Sequence, residues 1–189
     1  MSDALRDGIK GLTVEEADRL HPDDKIEVLD GVVYMMAPPK IRHQKLLGKV
    51  NGVFEAFFAG KSCTPYMEIG VWLSKSRRVI PDLLVVCDSD KIDDDGCNGA
   101  PDLVVEVLSP SNGDYDTGDK KALYHAHGVR EYWVLDPDKG TGIRWVWDKE
   151  WLDAGANEVS IVAGEIESAI FPGLVVDLNS TEEQKSRSR

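Results

Sequence analysis

Hydrophobic and polar positions in the first third of the chain follow two different periods, and each period predicts a different element. Thr13 and Glu16 have the spacing of a capping box, which predicts a short helix. Apolar runs on both sides of Asp30-Gly31 predict a β-hairpin, because both turn positions accept a positive φ. Between residues 41 and 59 apolar side chains recur at helical spacing. The expected order is therefore helix, hairpin, amphipathic helix.

The middle of the chain holds three apolar segments that are expected to form strands, at residues 66–73, 80–87 and 103–108. The third has no polar alternation, which is typical of a strand that is buried on both faces. Residues 88–100 are acidic and separate the second strand from the third. They do not fit the spacing of a calcium-binding loop, so we expect a solvated connection.

A strand, a helix and a second strand then follow one another, with the helix at residues 115–127 and the second strand at residues 129–136. Such a unit is a right-handed crossover between parallel strands. Glu106 and Trp133 are therefore expected in parallel strands of one sheet. Residues 143–148 are expected to add a hairpin partner.

Length and composition are those of one ordinary globular domain. The chain has 189 residues, of which 42% are hydrophobic. We expect a single domain at residues 1–180 and a disordered polar tail at residues 181–189. No run approaches the ~18 apolar residues of a membrane span, so no membrane contact is expected. The net charge of -12 argues against a general nucleic-acid binder with a basic surface, so any nucleic-acid site must be local.

The cysteines and tryptophans give weaker expectations. Cys63, Cys87 and Cys97 are odd in number and lack Cys-x-x-Cys spacing, which suggests neither a disulfide framework nor a zinc ribbon. This usage favours a reducing, cytoplasmic setting. Trp145 and Trp147 alternate on one strand, so they could form an exposed face that a second subunit covers in a homodimer. An interior aromatic cluster is the commoner explanation of that pattern.

Glu106 is the residue that most needs an explanation, because it is a carboxylate inside an apolar strand. Burial of an unpaired carboxylate costs several kcal/mol, so a cation, a metal or a strong donor is expected beside it. The alternative is a glutamate on an edge strand that reaches water.

Asp82 and Lys120 are the expected neighbours of Glu106. If the strands of Asp82 and Glu106 run antiparallel, both carboxylates lie at the same end of the sheet, where two carboxylates with waters could hold magnesium. The alternative for Asp82 is a turn-capping role. Lys120 shares a helix face with Leu123 and Tyr124, which directs its amine toward the sheet. The alternative is a surface ion pair with a neighbouring aspartate.

A basic stripe on the second helix, Arg42, Lys45 and Lys49, could meet phosphates, although a solvated helix face is the commoner explanation. His43 lies in the first turn of that helix, where a histidine is more often a surface or capping residue.

Several of these segments together carry a family resemblance. They are Ile26-Glu-Val-Leu-Asp-Gly31, Pro81-Asp82, Pro-Asp-Leu-Val-Val-Glu-Val-Leu-Ser-Pro-Ser at residues 101–111, Asp119-Lys120, and Gly-Val-Arg-Glu-Tyr-Trp-Val-Leu-Asp-Pro at residues 128–137. In this order they resemble the Uma2 family of restriction endonuclease-like proteins. The resemblance implies membership of the PD-(D/E)XK nuclease superfamily. It also implies an α/β core (α+β in some schemes) with a mixed central β-sheet flanked by helices and, here, an N-terminal β-hairpin.

Carried over by position, Asp82 is the aspartate of the PD element and Glu106 is the acidic residue of the (D/E)XK element. Leu108 stands where the lysine of that element is expected, and the resemblance points to Lys120 as its replacement. Glu27 matches an early acidic residue of such cores, and His43 also falls within the resemblance.

The function implied is that of an endonuclease that uses Mg²⁺, or Mn²⁺, to hydrolyse DNA. Asp82 and Glu106 would hold the metal, with Lys120, Glu27 and His43 as further catalytic residues. Arg77 and Arg78, together with the basic stripe, would contact the DNA backbone. Two alternatives stay open. One is a catalytically inactive nucleic-acid- or protein-binding module on the same fold, and the other is a hydrolase of a small phosphorylated substrate.

Overall fold

A computed structural model describes residues 11–109, 115–153 and 159–179. Its helices are α1 (Val14–Leu20), α2 (Ile41–Phe58), α3 (Lys121–His127) and α4 (Lys149–Asp153). A 3-10 turn covers Ser89–Lys91, and a π-helical turn, Asp116–Lys120, leads into α3. The predicted capping box of α1 is confirmed.

The first seven strands are β1 (Ile26–Leu29), β2 (Val32–Met35), β3 (Thr64–Met67), β4 (Gly70–Ser74), β5 (Arg77–Val79), β6 (Leu83–Val86) and β7 (Gly96–Asn98). The other six are β8 (Leu103–Val107), β9 (Glu131–Asp136), β10 (Thr141–Val146), β11 (Val159–Ala163), β12 (Glu165–Glu167) and β13 (Val175–Asp177).

The strands form two principal sheets. A six-stranded sheet has the order β11-β10-β9-β8-β6-β3, in which β8 and β9 are parallel and the other neighbours are antiparallel. A five-stranded sheet has the order β2-β1-β5-β4-β7 and contains the hairpin β1-β2. The predicted fold class is confirmed, with a mixed central sheet, a parallel crossover and an N-terminal hairpin.

The hydrophobic core lies on both faces of the six-stranded sheet. On one face α2 buries Leu47, Val50 and Phe54, and the Phe54 ring meets the edge of Trp133 at a centroid distance of 5.7 Å. On the other face Tyr124 and Tyr132 pack within a second cluster. The helix periodicity of residues 41–59 thus comes from one buried stripe.

The expectation of a single strand at residues 66–73 is wrong. The chain leaves the six-stranded sheet after Met67 and enters the five-stranded sheet at Gly70. Glu68, which lies between them, has a φ of 50°, a left-handed conformation that interrupts any strand. The acidic connection also differs from the expectation, because it contains β7.

The expectation that the cysteines form no disulfide is also wrong. Cys63 and Cys87 are joined by a disulfide that links edge strand β3 to β6, while Cys97 is a free, buried thiol. The antiparallel pairing of Thr64 with Val86 brings the two cysteines opposite each other, one position beyond the ladder. This pairing is a long-range property that cysteine spacing does not reveal, and the cysteine argument for a reducing setting no longer stands.

Trp145 and Trp147 belong to a stack of rings instead of an exposed aromatic face. Tyr132 lies 5.5 Å from Trp145 and 6.3 Å from Trp147, and His125 lies 4.7 Å from Trp147. The homodimer expectation therefore loses the observation on which it depended. Among the described helices, none has the length and apolar character needed to cross a bilayer.

Glu131, in β9 of the six-stranded sheet, binds residues 168–170 near the C-terminal end of the described chain through hydrogen bonds. Its carboxylate is fully buried and accepts hydrogen bonds from the Trp133 indole, the Ser168 hydroxyl and the backbone N–H groups of Ala169 and Ile170. These donors offset much of the cost of burying the charge.

Candidate active site

Asp82 and Glu106 lie opposite each other at one end of the six-stranded sheet. Strands β6 and β8 are antiparallel, and Leu83 pairs with Val105. Asp82, which precedes Leu83, therefore lies opposite Glu106, which follows Val105. This is the arrangement that the sequence predicts. Strand β8 lies between β6 and β9, which excludes the edge-strand explanation of Glu106.

Lys120 supplies the cation beside Glu106. Its Nζ lies 2.9 Å from Glu106 Oε1, 2.9 Å from Glu27 Oε1 and 3.8 Å from Asp116 Oδ1. Because Leu123 and Tyr124 are buried on the same side of the helix, the amine points inward as their spacing predicts. We call Glu27, Glu106, Asp116 and Lys120 the lysine cluster.

Glu27 reaches the lysine cluster from the other sheet. It lies in the middle of β1, and its carboxylate accepts hydrogen bonds from the Ile80 backbone N–H at 2.8 Å and from the Tyr115 hydroxyl at 3.0 Å. Glu106 comes from β8 of the six-stranded sheet. Lys120 therefore bridges the two sheets by ion pairs to one carboxylate from each.

His43 lies at the site and is buried, so the surface explanation of this residue does not hold. Its Nε2 is 3.0 Å from Asp82 Oδ2, and the Val107 backbone N–H donates to the same oxygen at 2.7 Å. Burial lowers the pKa of His43, but the hydrogen bond to Asp82 and the negative charges of Asp82, Glu68 and Asp116 together outweigh it, and the pKa rises above its ordinary value. Two groups thus fix the orientation of the Asp82 carboxylate.

Burial and charge act in opposite directions within the lysine cluster. Burial raises the pKa of Glu106 well above its ordinary value, although Lys120 opposes the rise. For Lys120, burial alone lowers the pKa, but Glu106, Glu27 and Asp116 together raise it well above the ordinary value. Lys120 therefore stays charged at neutral pH, whereas the carboxylates around it compete for one cation.

Two members of this environment, Asp116 and Tyr124, are not among the site residues expected from the sequence. The Tyr124 hydroxyl donates to Glu106 Oε1 at 3.0 Å, and Asp116 is buried beside Lys120. From the sequence, Asp116 is a candidate cap of the helix or a surface partner of Lys120. The signal for it was present, because residues four apart on a helix share a face, so an inward Lys120 implies an inward Asp116.

The titration of Asp116 should make stability depend on pH. Burial raises the pKa of Asp116 to about 6, whereas the pKa of an aspartate in an unfolded chain is about 4. The folded protein therefore binds more protons between these values, and the free energy of unfolding should fall by about 2–3 kcal/mol as pH rises through this window. Asp116→Asn should flatten urea-unfolding profiles measured between pH 4 and 6.

The exposed neighbour Asp119 provides the control for this measurement. Asp119→Asn should leave the slope of the profile unchanged. Equal slopes for the parent protein and Asp116→Asn would contradict the assignment.

The carboxylates of Asp82 and Glu106 are oxygen donors of the kind that magnesium takes. In the part of the chain that the structure describes, no group of three or more His, Cys, Asp or Glu side chains is placed to hold a metal. Asp82 and Glu106 remain as a pair, and Asp82 Oδ1 and Glu106 Oε2 accept no hydrogen bond from the described residues. Magnesium commonly takes one or two carboxylates and keeps several waters, so the pair suffices chemically.

Four of the five residues predicted to contact DNA are engaged in ion pairs within the protein. Arg42 pairs with Asp138, Lys49 with Asp177, Arg77 with Asp30 and Arg78 with Asp18. Lys45 is exposed and has no ion pair within the described ranges. Contact between these residues and DNA stays a prediction.

Comparisons with known proteins give a family match, one sequence relative and one structure of similar fold. A family model described as "Uma2: Putative restriction endonuclease" matches residues 14–179. The "Uncharacterized protein slr1290" of Synechocystis sp. is 31% identical over an alignment of 115 residues, and the match covers 59% of this chain. The match spans 60% of the length of that relative.

A solved structure resembles the fold over nearly its whole length. It is the crystal structure of "a putative nuclease belonging to DUF820" from Anabaena variabilis, with a TM-score of 0.70 and 16% sequence identity. The match covers 88% of this chain and 95% of that one. At this level of identity the likeness shows the architecture alone.

Proposed function

The chain belongs to the Uma2 family, and from that premise we propose that it is a metal-dependent endonuclease that hydrolyses phosphodiester bonds in DNA. The observation that carries the proposal is the constellation of Asp82 opposite Glu106 with the Lys120 ammonium 2.9 Å from Glu106. Paired carboxylates with one fixed cation are suited to phosphoryl chemistry, in which negative charge must be held and stabilised.

Asp82 and Glu106 would hold Mg²⁺, or Mn²⁺, through the oxygens that the protein leaves without hydrogen bonds. When bound, the ion would lower the pKa of a coordinated water and neutralise charge on the phosphoryl group.

The protein's own groups hold these carboxylates in place. His43 and the Val107 N–H occupy Asp82 Oδ2, which leaves Oδ1 available. The Tyr124 hydroxyl and Lys120 both occupy Glu106 Oε1. Each carboxylate is thus fixed by two contacts on one oxygen, which reduces the reorganisation that the reaction would require.

Lys120 has the charge and the rigidity needed to stabilise developing negative charge on a phosphoryl oxygen. Its ammonium is held by Glu106 and Glu27, and its pKa is raised, so it stays protonated. A fixed cation in a site shielded from water stabilises charge more than a mobile surface lysine would.

A second candidate function is a catalytically inactive binding module on the same fold. The net charge of -12 and the ion pairs of Arg42, Lys49, Arg77 and Arg78 favour it, because they leave little positive surface for a DNA backbone.

An assay of the purified protein separates these functions. We expect cleavage of plasmid and of end-labelled oligonucleotides with Mg²⁺ or Mn²⁺, and none with excess EDTA. Binding without cleavage across a series of divalent ions would favour the inactive module. Turnover of small phosphoesters alone would instead indicate a hydrolase of small substrates.

A further inference from the structure

We infer that the site accepts an unpaired DNA strand in preference to a duplex, with one base stacked on the pair formed by Tyr34 and Tyr115. This inference rests on the proposed function and specifies its substrate class. Three observations carry it: an aromatic pair beside the lysine cluster, the burial of the reactive groups, and the engagement of four basic side chains in internal ion pairs.

The aromatic pair lies directly beside the lysine cluster. Tyr34 is paired with Glu27 across the β1-β2 ladder, so both side chains project from the same face of that hairpin. The rings of Tyr34 and Tyr115 are 4.9 Å apart and inclined by only 23°, and the Tyr115 hydroxyl donates to Glu27. Both tyrosines are partly exposed, and Lys120 Nζ lies 5.2 Å from the centroid of the Tyr115 ring, so a base would stack on the Tyr34 side of the pair. Aromatic rings stack on bases irrespective of sequence.

The groups that would perform the chemistry lie deep. Asp82, Glu106 and Lys120 are 8%, 4% and 3% exposed, respectively. A DNA duplex is stiff over many base pairs, so bending it to bring one phosphodiester to these buried groups costs deformation free energy. A single strand bends freely, and its bases can turn out of the stack.

Electrostatics favour the same substrate. Duplex binding depends on several phosphate contacts made by lysine and arginine. Here Arg42, Lys49, Arg77 and Arg78 are already paired with carboxylates, and the chain carries a net charge of -12. Base stacking adds binding free energy that does not come from phosphate contacts, and a single strand has a lower charge density than a duplex, so an acidic protein should disfavour the single strand less.

The test is a binding measurement that does not require turnover. Fluorescence anisotropy would compare a labelled single strand with the duplex of the same sequence, using Glu106→Gln protein to prevent cleavage. We expect the single strand to bind at least about 10-fold more tightly. In the same background Tyr34→Ala should weaken single-strand binding about 5- to 100-fold, the loss expected for one base stack, and Tyr34→Phe should stay within about twofold.

Two further variants keep the result interpretable. Tyr34→Leu retains apolar bulk in case Tyr34→Ala fails to fold, and it should show the same loss. Met35→Ala is the matched control, because Met35 is exposed and the next side chain along a strand points to the opposite face. Equal or tighter duplex binding, no measurable binding of any strand, or unchanged binding by the Tyr34 variants would overturn the inference. Tyr34-dependent binding by a parent protein that never cleaves would refute the endonuclease activity instead.

Discussion

Lys120→Met should lower the free energy of unfolding by about 3–5 kcal/mol and abolish cleavage. The substitution leaves Glu27, Glu106 and Asp116 buried without their common cation, and removal of one partner from a buried ion pair costs this much. Urea unfolding followed by tryptophan fluorescence would measure the loss. The loss should be greater at higher pH, because the carboxylates cannot then take up protons.

A double variant tests the cause of this loss. Adding Glu106→Gln to Lys120→Met removes one uncompensated charge and should recover at least about 1 kcal/mol. Lys45→Met makes the same chemical change at an exposed position and should stay within about 0.5 kcal/mol of the parent protein. A Lys120 variant as stable as the Lys45 variant would show that the cluster contributes nothing to folding.

Asp82→Asn should reduce kcat/KM for DNA cleavage by at least about 100-fold while leaving the protein folded. The asparagine carbonyl can still accept the Val107 N–H, so the unfolding free energy should change by no more than about 1 kcal/mol. The charge that would hold a divalent ion is lost. Isothermal titration with Mg²⁺ or Mn²⁺ should show weakened binding in parallel with the kinetic loss.

Asp94→Asn is the matched control, because Asp94 is exposed in the acidic connection. It should cleave DNA as the parent protein does. Full activity in Asp82→Asn would remove Asp82 from the mechanism, and an unfolded variant would be evident from its circular dichroism.

Much of the fold was predictable because local patterns determine it. The Asp-Gly hairpin, the amphipathic α2 and the strand–helix–strand crossover each follow from residues close in sequence. The juxtaposition of Asp82 and Glu106 was also predictable, because in an antiparallel pair the N-terminal end of one strand lies beside the C-terminal end of the other.

The rest depends on contacts between distant parts of the chain. Glu27 approaches Lys120 only because the two sheets meet, and His43 reaches Asp82 because α2 packs across the central sheet. The Cys63–Cys87 link depends on the pairing of β3 with β6. None of these three long-range contacts produces a periodic pattern of hydrophobic and polar residues in the sequence.

The attachment at Glu131 limits how far the protein can be shortened. A truncation that ends before Ser168 would remove the Ser168, Ala169 and Ile170 donors to the Glu131 carboxylate. Of the four donors described above, the Trp133 indole alone would remain. The unpaired charge would then loosen β9, which lies next to the strand of Glu106. Shortened forms of the protein made for crystallisation should therefore retain residues 168–170, even though these residues are remote from the lysine cluster along the chain.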